Sequence, residues 1–246
     1  MSGVPVDLLV DIWGRATSTH PAPSSATVWA TAAVAAVAVG WRPVWRVVRH
    51  AVTLVHEAGH AGVAVLTGRR LAGIRLHSDT SGLTTSVGRP RGPGMVATAA
   101  AGYLAPAGLG LLAAWATAHG RGVGLLWGLL GVVVVLAVGV RNLFGLWSVL
   151  VTAAALVVVT WWVPPVGQTA VACAVSWLLL LGAPRTVVEL ARTRRRGART
   201  SDADALARLT HVPAALWVAA FGIVTVGAAA LGGSVLAPGL LGGVVG

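Results

Sequence analysis

The sequence predicts an all-α polytopic membrane protein, with about seven transmembrane helices and one short β-hairpin. Three observations carry that expectation. Apolar residues make up 56% of the 246-residue chain and charged residues only 10%, too few to cover a soluble core of this size. The apolar residues come in blocks near 26–41, 50–67, 95–118, 123–140, 143–163, 166–183 and 212–236, each close to the length a helix needs to cross hydrocarbon. All 18 basic residues are arginines, and they fall between those blocks.

In chain order, residues 1–25 read as a leader. Its "VDLLVDIW" (6–13) is short and holds two aspartates, which suits an interfacial or loosely ordered segment. No basic region leads into an apolar one there, so no cleavable signal peptide is expected. Residues 26–246 then read as a single membrane-embedded domain. Trp41, Trp45, Trp161 and Trp162 fall near proposed span ends, where indole prefers to sit. "LAGIRLHSDTSGLTTSV" (71–87) alternates apolar and polar residues about a central Asp-Thr-Ser-Gly, which is a hairpin signal. "AAAGYLAPAGLG" (99–110) is rich in small residues that let helix backbones approach closely. "RNLFG" (141–145) reads as a tight turn, with Asn142 a lesser candidate for orienting substrate. Beyond the arginine cluster at 192–199, Ser201 is a natural N-cap with Asp204 three residues on, and a new helix start is expected there.

Alternation of seven spans with the N-terminus inside puts the leader, 68–94, the 141–142 turn and 184–211 on the cytoplasmic side. Those segments hold fourteen of the eighteen arginines, the exceptions being Arg42, Arg46, Arg49 and Arg121. A multi-pass protein of the cell membrane with a cytoplasmic N-terminus is the expectation. The net charge of +11 is therefore loop charge, and no nucleic-acid partner is expected. The single Cys173 allows neither a disulfide framework nor a cysteine zinc site. The sequence carries no signal for an oligomeric state.

One block breaks the apolar pattern. "AVTLVHEAGHAGVAVLTG" (51–68) places His56, Glu57 and His60 inside a run otherwise fit for lipid, although the chain has only two glutamates. Histidines four apart share one helix face and can hold a single metal ion, while the intervening glutamate reaches a water beside it. That is the division of labour in zinc hydrolases, where the metal acidifies water and a carboxylate takes its proton. A His–Glu pair that only braces helices is the competing reading. It is disfavoured because ionisable groups within a span are functional by default.

A catalytic zinc takes a third protein ligand and leaves one position open. Asp7 and Asp11 lie in the leader, Glu57 is the base, and Glu189 faces the arginine cluster, which leaves Asp79, Asp202 and Asp204. His50 points elsewhere on its helix and His119 falls on the outer side. His77 and His211 carry no spacing argument. Asp202 and Asp204 are expected to open the last span near the inner end of the histidine helix, where each is a candidate for ligation or for capping.

With His56-Glu57-x-x-His60 in a membrane span, the chain resembles the site-2 protease family of intramembrane zinc metalloproteases. Ser201-Asp202-Ala203 resembles the Ser-Asp-Ala segment of the family's small actinobacterial branch. Better-known members take their third ligand from a Leu-Asp-Gly motif, and this chain has no Asp-Gly pair. The resemblance implies one Zn²⁺ on His56, His60 and Asp202, with Asp204 the alternative ligand, and Glu57 as catalytic base. It also implies a small β-structure beside the metal helix, to which an unwound segment of a membrane-protein substrate can add. The expected function is hydrolysis of peptide bonds near the cytoplasmic face of the bilayer. A metal transporter or sensor is the alternative, and a catalytically dead scaffold a third reading that the intact histidine motif opposes.

Overall fold

The computed structural model describes residues 6–238. Nine helices and one hairpin follow in order: α1 (Val6–Thr17), α2 (Ser25–Gly40), α3 (Arg42–Leu66), β1 (Arg70–Leu76), β2 (Gly82–Val87), α4 (Pro93–Ala118), α5 (Gly122–Gly139), α6 (Leu143–Trp162), α7 (Pro165–Arg195), α8 (Asp202–Thr210) and α9 (Ala214–Leu236). The helical, membrane-type architecture and the hairpin match the sequence expectation.

The span count differs. Among the described residues five helices are long and apolar enough to cross a membrane, or six when α2 and α3 are taken as one bent span. The blocks at 26–41 and 50–67 do not each give a helix long and apolar enough to count as a crossing of its own; α2 and α3 reach that standard only together. α2 and α3 meet at an angle of 103°. Trp41 is extended between them, and Pro43, with no N–H to donate, starts the new helix. α3 also begins eight residues earlier than its apolar block, taking in Arg42, Arg46 and Arg49. Those arginines do not form an outer turn: Arg49 donates to Thr80 at the hairpin tip and pairs with Glu189 near the end of α7 at 3.2 Å.

Counting one bent span changes the parity of the topology. The His20 amide donates to Gly120 at 2.9 Å, and Arg15 lies over the Trp161 ring at 5.2 Å. The leader thus sits with the α4–α5 and α6–α7 turns. The hairpin lies at the other end of α4, a helix of 26 residues and so about 39 Å long. Seven-span alternation put leader and hairpin on one side, with the N-terminus cytoplasmic. They lie at opposite ends of the bundle.

Two further boundaries depart from the sequence reading. α7 continues through Pro184 to Arg195, where the apolar block ends at 183. The residue after Arg196 is Gly197 at φ +99, a backbone state open to glycine, and the chain turns there. Ser201 does not open the last span; it caps the separate nine-residue helix α8. His211 in the left-handed region ends α8, and Pro213 then starts α9.

α4 and α7 form the centre. α4 packs on α3, α7 and α9, while α2 lies along α7. Small residues permit this approach: a Cβ on Gly110 would stand 3.0 Å from the Leu180 amide nitrogen. β1 and β2 pair antiparallel, from Arg70 opposite Val87 to Leu76 opposite Gly82. The second edge of β1 is closed by the α5–α6 connection. There the Arg141 amide donates to the Ile74 carbonyl at 2.9 Å, and Ile74 bridges Val140 in parallel. The Asn142 amide both donates to the Leu76 carbonyl (2.6 Å) and accepts from its N–H (3.2 Å). Among the described residues no strand pairs with the outer edge of β2.

Candidate metal centre

α3 presents His56 and His60 one turn apart towards the start of α4. Their rings stand at 84° to each other, with the two Nε2 atoms 3.1 Å apart. Asp202, the first residue of α8, brings one carboxylate oxygen to 3.2 Å from His56 Nε2 and 3.3 Å from His60 Nε2. These three residues form the only His/Cys/Asp/Glu group among the described residues whose donor atoms converge in this way.

The triangle can be tested against a metal. Zinc–ligand distances near 2.05 Å and tetrahedral angles put neighbouring ligand atoms about 3.3 Å apart. The observed edges of 3.1, 3.2 and 3.3 Å fit one face of that tetrahedron. The donor chemistry agrees. His60 Nδ1 lies 2.7 Å from the Thr98 carbonyl, an acceptor that requires the proton on Nδ1 and leaves the Nε2 lone pair facing Asp202. The lone pair of a neutral imidazole and a carboxylate oxygen at that separation repel unless a proton or a metal cation lies between them, and three such atoms facing one point suit a metal. The residues present fit a zinc ion.

α4 shapes the triangle through Gly102. A Cβ there would collide with His60 Nε2 and stand 2.6 Å from His56 Nε2, so both imidazoles rest against bare backbone. Gly59 does the same for helix approach, since a Cβ on it would meet Ala105 and stand 2.9 Å from the Ala101 carbonyl oxygen.

Glu57 is buried at 3% exposure beneath the hairpin. The Thr84 hydroxyl donates to its Oε2 at 2.6 Å. Gly82 lies against the rest of the carboxylate, where a Cβ would come within 2.6 Å of Glu57 Cδ and collide with Oε1. Glu57, the three converging residues and the outer edge of β2 line one cavity of about 590 Å³.

Asp204, the alternative ligand, is engaged elsewhere. It accepts from the Ser201 hydroxyl (2.6 Å) and amide (3.1 Å), completing a capping box, and it pairs with Arg194. Burial pushes its carboxyl up, but the hydrogen bonds from Arg194 and Ser201 outweigh this and hold it below the usual carboxylate range. The two aspartates divide the work: Asp204 caps α8 and ties it to Arg194 of α7, and Asp202 faces the histidines. Asp79 accepts from the Ser81 amide (2.9 Å) and hydroxyl (2.6 Å) within the hairpin turn. Asn142 holds β1 and does not reach the cavity. Glu189 accepts from Trp45 Nε1 at 2.6 Å and pairs with Arg49 and Arg185.

Sequence reasoning did not find Thr84, Thr98, Gly82 and Gly102. The glycine in "AAAGYLAPAG" carried a signal of close approach, but the approaching groups are imidazoles and not another helix backbone.

A family model described as peptidase M50B-like matches residues 29–232, which takes in α2 to most of α9 and every residue of the triangle. No curated protein and no solved structure matches the chain.

Proposed function

Starting from a chain that belongs to the peptidase M50B-like family, a family of membrane metallopeptidases of the site-2 protease type, we propose that it is a zinc endopeptidase cutting membrane-protein substrates at the cytoplasmic end of the bundle. The observation that carries the reading is the triangle of His56, His60 and Asp202, whose edges have the size of a zinc coordination face, with Glu57 in the same cavity.

A zinc ion on these residues would supply Lewis acidity, lowering the pKa of water and polarising a carbonyl. The chain's own groups do the rest. A substrate segment unwound from its helix adds to the outer edge of β2, which no strand occupies among the described residues, and lies extended along the cavity. Thr84 fixes one oxygen of Glu57, which leaves the other to take a proton from water as its oxygen adds to the scissile carbonyl carbon. Glu57 then returns that proton to the leaving nitrogen. Burial of Glu57 under Gly82 keeps bulk water from competing for it.

The orientation follows from charge. Thirteen arginines lie in 69–91, at 141 and in 185–208, all at the end that carries the triangle, against Arg15 and Arg121 at the opposite end. The positive-inside bias makes the first end cytoplasmic and α1 exoplasmic. Metal transport is less well supported, because α5, α6 and α9 contain no histidine, aspartate or glutamate to line a path.

The test is proteolysis of a transmembrane peptide by purified protein in liposomes, with bound metal counted in the same sample. One zinc per chain and cleavage abolished in Glu57→Gln support the reading. Ion flux without cleavage would replace it with transport.

A further inference from the structure

The cavity holds, beside the triangle, a polar group that nothing above employs. Tyr103, the only tyrosine of the chain, sits on α4 next to Gly102. Its ring stands edge-on to His56, with centroids 4.8 Å apart at 89°, and is stacked on Phe221 of α9 at 5.1 Å and 21°. The side chain lines the same cavity as Glu57 and Asp202. Its hydroxyl makes no hydrogen bond among the described residues. A tyrosine whose ring is packed and whose hydroxyl has no protein partner can offer that hydroxyl to a ligand. Phenylalanine would fill the space against His56 and Phe221 equally well without bringing a polar atom to the cavity.

Several of the other polar groups there are engaged. Arg49 serves Thr80 and Glu189. Thr53 donates to the Thr80 carbonyl at 3.1 Å, Thr84 to Glu57, and Arg194 to Asp204. A zinc ion would polarise the scissile carbonyl, and a hydrogen-bond donor of the chain beside it would add to that stabilisation. As the water oxygen bonds to the carbonyl carbon, the C=O π pair moves onto the substrate oxygen. That pair returns when the C–N bond breaks and Glu57 delivers its proton to nitrogen. In between, the oxygen carries a charge that a preorganised donor stabilises.

We propose that Tyr103 is a catalytic residue of the peptidase reaction, its hydroxyl donating a hydrogen bond to the oxyanion that forms on the scissile carbonyl. It loses no proton in the step. The inference rests on the hydrolase reading above, and its test separates the two.

Tyr103→Phe in the full-length protein keeps the ring contacts and removes only the hydroxyl. With a transmembrane peptide in liposomes, kcat is expected to fall about 100-fold, the usual effect of removing one oxyanion donor, with KM and bound zinc unchanged. A phosphinic peptide, whose tetrahedral P–O⁻ imitates the oxyanion, should lose affinity by a similar factor in a direct binding measurement. In a Glu57→Gln background, affinity for the uncleaved substrate should be the same with Tyr or Phe at 103. Cleavage by Tyr103→Phe within twofold of the parent, or equal affinity for the phosphinic peptide, would overturn the proposal and leave the hydrolase reading intact. Loss of zinc in Tyr103→Phe would also overturn it, by assigning the residue to support of His56. A parent protein that does not cleave at all would remove both.

Discussion

Gly102→Ala is the sharpest test of how the metal triangle is built. The new Cβ would collide with His60 Nε2 and stand 2.6 Å from His56 Nε2, where ordinary Cβ contacts begin at 3.4 Å. The His56 ring must withdraw by about 0.8 Å, several times the ±0.2 Å that metal–ligand distances tolerate. Both imidazoles move at once. The loss in metal affinity should then at least match the 10–100-fold that follows from losing one outer-sphere partner, and about 100-fold is expected. Helix stability moves the opposite way, since alanine is favoured over glycine in a helix interior by about 1 kcal/mol. The variant should therefore fold and insert normally while losing zinc. The assay is a zinc titration of the stripped protein in detergent, read alongside its thermal melt. Gly108→Ala serves as control, because a Cβ there meets nothing within 4 Å. Zinc affinity in Gly102→Ala equal to that of Gly108→Ala would refute the claim that bare α4 backbone shapes the site.

Other outcomes follow from the same contacts. Glu57→Gln should keep zinc and abolish cleavage, whereas His56→Ala or Asp202→Ala should lose zinc as well; metal analysis beside the protease assay distinguishes them. Asp204→Ala should leave the largely buried Arg194 uncompensated and cost about 3 kcal/mol, seen as loss of hydrogen-exchange protection in α8 before the rest of the bundle. Asn142→Ala strips the Leu76 amide and carbonyl of their partner, a loss of about 2 kcal/mol that should appear as faster exchange at β1 and a raised KM. Cysteines placed at Ser18 and Arg196 should label from opposite sides of the membrane, and labelling from one side would restore the seven-span alternation.

The parts of this fold legible in the sequence are those governed by local pattern. Apolar block length located most of the helices, and alternation about Asp-Thr-Ser-Gly located the hairpin between Arg70 and Val87. The four-residue spacing of His56 and His60 put two imidazoles on one face, and the Ser-Asp-Ala resemblance pointed to Asp202. Spacing alone did not separate Asp202 from Asp204, because both lie in the first turn of one helix. Tertiary partners separate them: Arg194 takes the second aspartate and leaves the first to the histidines. The bend at Trp41 was hidden for a related reason. An apolar block reports that a segment suits lipid, not the direction it takes, and one proline beside an extended residue redirects α3 without altering its composition.

The attachment of α8 has a consequence for metal uptake. Asp202 reaches the histidines from α8, which Ala203 and Leu206 seat against Ala99, Val187, Leu190 and Phe221 and which the Arg194–Asp204 pair ties to α7. Docking and metal binding are then two readings of a single equilibrium. Apparent affinity for the metal is the intrinsic affinity scaled by the fraction of molecules with α8 in place. Thermodynamic reciprocity runs both ways: if docking of α8 raises the affinity for an ion by some factor, a bound ion would favour the docked α8 by that same factor. A short helix next to an arginine-rich turn would thus tie the retention of any metal held by the triangle to contacts made away from the long apolar helices.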